Sequence, residues 1–210
     1  MTFNDADRAH MVQLGAALYD RGLTPGRTGN LSVRNGDQIM ITPTNVSLGR
    51  LEPSRLSVVS IGGDHISGDP SSKEVVLHRA LYIAHPECMA VAHLHSTSAV
   101  AVSCLPDLPD EDALPPITPY YVMRVGRLRV VDYAMPGSAA LTVGVAHAAA
   151  DSRALLLRNH GSLAAAPTLE GAVDAVEEIE ESARLHLLLD GRSPRCLTSE
   201  DVSELRERPS

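Results

Sequence analysis

The chain has 210 residues, 44% of them hydrophobic and 21% charged, with a formal net charge of −8 at pH 7. A length of this order sets the expectation of one domain, two at most, with about 70% of the unfolded surface buried and no need for a staple. The negative charge argues against nucleic-acid phosphates as the main partner, and no apolar run approaches the roughly 18 residues of a membrane span.

Residues 1–7 are polar and acidic and do not read as a secretion signal. Three cysteines (Cys88, Cys104, Cys196) are odd in number and lack metal-type spacing, which points to free thiols in a reducing cytoplasm. With no Trp, one Phe and five Tyr, the core has to be aliphatic. Of the 18 basic residues, Lys73 is the one lysine.

In chain order, Asp5 to Tyr19 predicts an amphipathic helix with Met11, Leu14, Ala17 and Leu18 inward, ended by Gly22. Thr28 to Arg34 and Gln38 to Pro43 predict two strands, and Asn35-Gly36 between them predicts a hairpin whose two turn positions take positive φ. Leu56 to Ser60 predicts a strand closed by Gly62-Gly63, and Ser72 to Ala84 a helix capped by Ser71 or Ser72. Met89 to His93 predicts a short buried strand, followed by a helix from Ser96 to Cys104. Five prolines make 105–119 an irregular loop. A short strand at Val130-Val131 and an Ala-rich helix from Ser138 to Ala150 come next. Ala154 to Leu157 and Ser162 to Ala166 predict strands that flank Asn159-His160-Gly161. The helix from Leu169 to Leu189 has apolar residues at mixed 3/4 spacing.

Residues 170–210 hold 11 acidic and 5 basic side chains, so the first 169 residues are close to neutral. The acidic stretch reads as a solvated helix face followed by a frayed tail. Neither an internal repeat nor a composition break is present. Residues 1–210 are therefore expected to form one domain, with a core of about 8–189 and an acidic tail, 190–210. Strands and helices mix without strict alternation, which favours a mixed sheet covered by helices on both faces.

His93-Leu94-His95 ends an apolar strand, and at i, i+2 both imidazoles point to one face, where they can take adjacent positions on Zn²⁺. His160 offers a third nitrogen from a strand-to-strand turn. Glu74, at the start of a helix where the dipole favours its ionised form, is either a fourth ligand or a base. His78 lies one helical turn further on and is placed to stand behind that set. Thr28-Gly29-Asn30, Thr42-Pro43-Thr44-Asn45 and Pro70-Ser71-Ser72 are turns that present backbone N–H groups and short polar side chains. With Arg27 and Lys73 they make a phosphate pocket of little net charge.

Gly29-Asn30-Leu31-Ser32, Ile41-Thr42-Pro43-Thr44, Ser72-Lys73-Glu74, His93-Leu94-His95 and Asn159-His160-Gly161 occur in this order across about residues 8–189. In residues and spacing they resemble the class II aldolase/adducin family. The resemblance implies a three-layer α/β/α sandwich with a central mixed, mainly antiparallel sheet. It also implies a cytoplasmic homotetramer with one Zn²⁺ per subunit, Mn²⁺ or Co²⁺ being alternatives, and sites between subunits. By position, Glu74 matches the catalytic acidic residue and a metal ligand, His93, His95 and His160 match metal ligands, and Asn30, Thr44 and Ser72 match the phosphate turns.

Two substitutions and one segment depart from the aldolases. Asn45 stands where they usually have Gly, Lys73 where they have a second Ser, and the run from Pro115 to Leu128 is unlike theirs. These features are most similar to the 3-oxo-tetronate 4-phosphate decarboxylase branch. That branch implies a phosphorylated sugar-acid substrate and loss of CO₂ through a metal-stabilised enediolate. Sugar-phosphate aldolase or pentulose-phosphate 4-epimerase chemistry is the alternative on the same scaffold. Arg27, Lys73 and Asn45 are then substrate-binding candidates, and Tyr120 and Tyr121 candidates to reach a neighbour's site.

Overall fold

Eight strands form a single sheet among the described residues, 3–207, of the computed structural model. They are β1 (Asn30–Asn35), β2 (Gln38–Ile41), β3 (Ser57–Ser60), β4 (His65–Ser67), β5 (Ala90–Leu94), β6 (Leu128–Val131), β7 (Ala154–Leu157) and β8 (Gly161–Ala166). Their spatial order is β4-β3-β2-β1-β5-β8-β7-β6. All neighbours are antiparallel except β6 and β7. Positions 1, 2 and 208–210 of the expected domain lie outside the described residues.

The helices are α1 (Asp5–Asp20), α2 (Val75–Ala84), α3 (Thr97–Ser103), α4 (Ala139–Ala149), α5 (Leu169–Leu188) and α6 (Ser199–Glu207). Period-two alternation sorts the sheet into two apolar faces. Leu31, Met40, Val58, Ala90, Ala92 and Ala164 pack with α1, α3 and α5. Ile39, Ile41, Val91, Leu155 and Leu163 pack with α2 and α4. This is the expected α/β/α sandwich, and its core is aliphatic as the composition requires. No helix among the described residues is long and apolar enough to cross a membrane.

Local chemistry places the ends. Asn4 and Asp7 form a reciprocal capping box on α1, and Gly22 takes φ +75° just beyond its end. The β1–β2 hairpin forms, but by a different turn from the expected one. Asn35 pairs with Gln38, so Gly36-Asp37 are the loop, and only Gly36 has positive φ (+59°). Gly at the first central position is the pattern of a type II′ turn. Helix α2 begins at Val75, three residues later than Ser72. Residues 72–74 form a turn instead, because Ser72 N–H donates to the Thr42 carbonyl and Pro43 bridges Ser71. That tie lays the Thr42–Asn45 turn beside Ser72-Lys73-Glu74.

Three elements go beyond the sequence expectations. Strand β4 is three residues long and fully exposed, so it carries no alternation to read. A π-helical turn, Tyr121–Val125, interrupts the region after the Pro-rich loop. The tail is helical at its end, as α6, rather than frayed throughout. Thr198 and Asp201 cap α6 reciprocally, and Val202 and Leu205 rest against the core.

The acidic face of α5 is also more than a solvated surface. Ser98 and Ala99 N–H donate to the Glu180 carboxylate at 2.9 and 2.8 Å, so α5 caps the start of α3. Glu178 accepts from Thr118. Replacing Glu180 with Ala orphans two N–H groups at a helix start, and the expected cost is about 1–2 kcal/mol. A lower urea midpoint at unchanged m-value would show it.

Candidate metal centre and substrate pocket

The centre of the sheet carries the chemistry. Strand β5 lies between β1 and β8, where His93 pairs with Asn30 on one side and Leu163 on the other. Its alternation sends His93 to the α2 face, fully buried, and the chain delivers His95 just past the strand end. His160 comes from the turn between β7 and β8, where Asn159 takes φ +56°. Glu74 sits at the N-cap position of α2.

These elements bring four ligating groups together. One atom each from Glu74, His93, His95 and His160 lie within 4.8 Å of one another. His95 Nε2 is 3.0 Å from His93 Nε2, His160 Nε2 is 3.1 Å from Glu74 Oε1, and His93 Nε2 is 3.4 Å from Glu74 Oε2. Tetrahedral ligands at the usual Zn–N and Zn–O distances stand about 3.3 Å apart, so the cluster has the size of a metal cage. The three rings meet nearly edge to face, with interplanar angles of 64°, 86° and 89°. His93 Nδ1–H donates to the Ser162 carbonyl at 2.7 Å, which turns Nε2 toward the cluster, where a cation would displace the proton shared with Glu74. Three nitrogens and one carboxylate oxygen fit a divalent first-row cation.

Electrostatics agree with that donor set. Burial opposes ionisation of Glu74, but the charge of His93 and hydrogen bonds from His160, His93 and Asn30 outweigh it. The carboxylate is held well below its usual range. Burial, with His93 and His160 beside it, pushes His95 down to about 3, so it presents a neutral ring. His93 moves the other way: burial pulls it down, but Glu74 and the Ser162 carbonyl raise it. A site that favours positive charge at this point suits a cation.

In front of the cluster lies a cavity of about 230 Å³. Its lining includes Arg27, Asn30, Thr44, Asn45, Ser72, Lys73, Glu74 and His95, so the structure assembles these eight expected residues on one wall system. His93 and His160 stand behind it, buried. Asn45 takes φ +58°, the left-handed conformation that Gly adopts freely and Asn tolerates best among the rest.

Tyr121 corrects an expectation. It is 1% exposed and its hydroxyl donates to Asp112 at 2.7 Å, so it belongs to the core and cannot reach a neighbour. Tyr120 is exposed, with Arg124 over its ring, and does not line the cavity.

Sequence reasoning missed Pro136 and Gly137, which close the cavity from the loop before α4. It also missed a buried polar chain behind Glu74. Asn30 Nδ2 donates to Glu74 Oε2 at 2.7 Å, and Asn30 Oδ1 lies 2.5 Å from His78 Nε2. Ser32 Oγ is 2.7 Å from both His78 Nδ1 and the Tyr82 hydroxyl. A signal was present: Glu74, His78 and Tyr82 recur every four residues on a helix, and Asn30 and Ser32 share one strand face. The expected phosphate contact of Asn30 is narrowed by this chain, since Oδ1 and one N–H already have protein partners.

Gly161 sets how closely β8 passes the end of β5. A Cβ there would lie 2.2 Å from the Leu94 carbonyl oxygen and 3.3 Å from the Cα of His95. Gly161→Ala is expected to shift His95 against His160 and weaken metal binding by about 10- to 100-fold. Competition with a chromophoric chelator measures it.

The comparisons with known proteins agree with the geometry. The family model for the "Class II Aldolase and Adducin N-terminal domain" matches residues 9–187. A 3-oxo-tetronate 4-phosphate decarboxylase of Haemophilus influenzae is 46% identical over 204 residues, 97% of each chain. The crystal structure of YgbL from Klebsiella pneumoniae superposes with a TM-score of 0.93 at 43% identity, covering 98% of this chain and 100% of that one. An L-fuculose phosphate aldolase of Methanococcus maripaludis is 33% identical, over 88% of this chain and 98% of its own.

Proposed function

The chain belongs to the class II aldolase and adducin family, and from that premise we propose that it decarboxylates 3-oxo-tetronate 4-phosphate to dihydroxyacetone phosphate and CO₂. The observation that carries the reading is the joining of a three-His, one-Glu cluster to a small cavity that holds both Lys73 and Arg27. The phosphate of such a substrate calls for cations among short polar groups, and its reacting ketone calls for a metal site directly beside them.

The substrate is a β-keto acid. When its C1–C2 bond breaks, the bonding electrons pass into the C3 ketone, CO₂ leaves, and an enediolate remains that takes a proton at C2. A bound divalent cation supplies stabilisation for the negative charge that develops on the ketone oxygen. Glu74, 15% exposed on the cavity wall, handles the proton at C2. Thr44, Asn45, Ser72 and Asn30 offer short polar side chains to the phosphate, with Arg27 beside them, while the Thr44 and Ser72 N–H groups hold the two turns together through the Pro70 and Thr42 carbonyls. Lys73 orients the substrate from the phosphate side, since a tight cation on the carboxylate would oppose CO₂ release.

We read the cation as one Zn²⁺ per chain, with Mn²⁺ or Co²⁺ as alternatives, and the working unit as a cytoplasmic homotetramer built from single-domain chains of residues 1–210. Tyr120 is exposed and available for a subunit contact in that assembly.

The second reading, a sugar-phosphate aldolase or 4-epimerase, is favoured by the shared scaffold with the fuculose-phosphate aldolase. Both lyase reactions form the same enediolate and differ in the leaving group, CO₂ or an aldehyde. Purified protein is given 3-oxo-tetronate 4-phosphate and L-fuculose 1-phosphate in parallel, with dihydroxyacetone phosphate and CO₂ both measured. Equimolar product and CO₂ from the keto acid, with kcat/KM about 100-fold or more above the sugar phosphate, supports decarboxylation. Faster cleavage of the sugar phosphate overturns it.

Lys73 has its own test. Lys73→Ser installs the aldolase residue and removes one charge-assisted contact, so decarboxylation should lose about 10- to 100-fold in kcat/KM with metal content unchanged. Unchanged kinetics would place Lys73 outside the reaction.

A further inference from the structure

Ser32, His78 and Tyr82 are fully buried polar side chains: Ser32 and His78 are 0% exposed, and Tyr82 is 0% exposed although it is among the largest side chains in the core. None of the three lines the cavity or belongs to the metal cluster. Burying such groups costs stability unless each is hydrogen-bonded, and apolar residues of similar shape would fill the same layer without that demand. Their arrangement is therefore informative about what they serve.

The hydrogen positions in this chain follow from its end. An ionised carboxylate only accepts, so the Asn30 group facing Glu74 is the NH₂ and the group facing His78 is the carbonyl oxygen. His78 must then donate from Nε2. Burial, with His93 nearby, pushes its imidazolium down to about 3, so the ring is neutral and Nδ1 is an acceptor. Ser32 fills that acceptor with its O–H, and Tyr82, whose phenol burial pushes up, donates to Ser32. Every donor points the same way, from Tyr82 through Ser32, His78 and Asn30 to Glu74.

We propose that Tyr82, Ser32 and His78 are positioning residues that lock the Asn30 amide in the one orientation able to hold the Glu74 carboxylate at the reacting centre. A flipped Asn30 would set its carbonyl oxygen against the carboxylate, and the chain makes that flip costly because His78 would lose its acceptor. Glu74 starts a helix without a side-chain cap of its own, so its rotamer depends on such outside contacts. The chain reaches across two elements, β1 and α2, and so also fixes the helix start against the strand.

This inference rests on the reading of Glu74 as the group that handles the proton, and the experiment separates the two. The nitrogen-15 spectrum of the wild-type protein, metal-loaded and metal-free, reports the His78 tautomer with no substrate present. The Nε2–H form is expected in both; the Nδ1–H form overturns the proposal whatever the enzyme's substrate is. Kinetics then test function. Ser32→Ala is expected to lower kcat by about 10- to 100-fold with KM within twofold and metal content intact, and Ser32→Thr to restore it. Tyr82→Phe, nearly isosteric, is expected to lower kcat by a few-fold. Wild-type kcat in both Ser32→Ala and Tyr82→Phe, or a loss in Ser32→Ala that follows only the folded fraction, overturns the proposal. Failure of the wild-type protein on both test substrates would instead remove the reaction and leave the tautomer result standing.

Discussion

Glu74→Gln is expected to lower kcat for decarboxylation by about 10³-fold or more while the protein stays folded. General acid–base catalysis by a positioned carboxylate supplies roughly 10²- to 10⁴-fold, and the amide cannot carry the proton. The variant also replaces an anionic oxygen donor that lies 3.1 Å from His160 Nε2 and 3.4 Å from His93 Nε2. Metal affinity should therefore fall as well, and saturating the variant with Zn²⁺ separates the two losses. Activity restored by added metal would mean that Glu74 serves only as a ligand. A persistent loss in the fully loaded variant assigns it the proton. The Asn30 contact sharpens the comparison: a Gln carbonyl oxygen can still accept from Asn30 Nδ2, so local packing is kept while the charge is removed.

Removal of the cation should have an effect of similar size. Dialysis against a strong chelator is expected to take activity to background, and stoichiometric Zn²⁺ to return it. His95→Ala should require about 10²-fold or more added metal for the same occupancy, because it deletes one of three imidazoles. Stability reads the same event without substrate. A cation at a thousand times its dissociation constant adds about 4 kcal/mol to the folded state, so the apo protein should melt measurably lower. Full activity after chelation, together with trapping of Lys73 by borohydride and substrate, would replace the metal route with a Schiff base on the single lysine.

Much of the centre was legible because its parts obey short-range rules. His93 and His95 at i, i+2 on an apolar strand had to share a face, and the strand forms at Ala90–Leu94. Asn159-His160-Gly161 was legible as a turn between strands for the same reason: polar and small residues interrupt two apolar runs. The phosphate-side turns were weaker, since each alone is an ordinary turn. They gained meaning from the resemblance and from the cavity that brings Arg27, Thr44, Asn45, Ser72 and Lys73 together.

Errors arose where a residue's partner is far along the chain. Tyr121 was expected near a neighbour's site because it lies in the segment unlike the aldolases, yet its hydroxyl meets Asp112 and its ring fills the core. Ser72 was expected to open a helix, and its N–H is instead spent on Thr42, thirty residues earlier. Glu180 was expected in solvent, and it caps a helix eighty residues earlier. The tail was expected to fray, and α6 docks through Val202 and Leu205.

The sequence by itself determined most of the elements, the aliphatic core, the family and which four side chains form the Glu/His cluster, because periodicity, turn chemistry and residue type are local and the motifs keep their order. Only the tertiary structure decided the contact that orients His93, the chain from Tyr82 to Glu74, the cavity lined by Lys73 and the burial of Tyr121. Those properties depend on the angle and distance between atoms on strands and helices that meet only after folding, and a side chain's hydrogen-bond role is fixed by the partner it finds there.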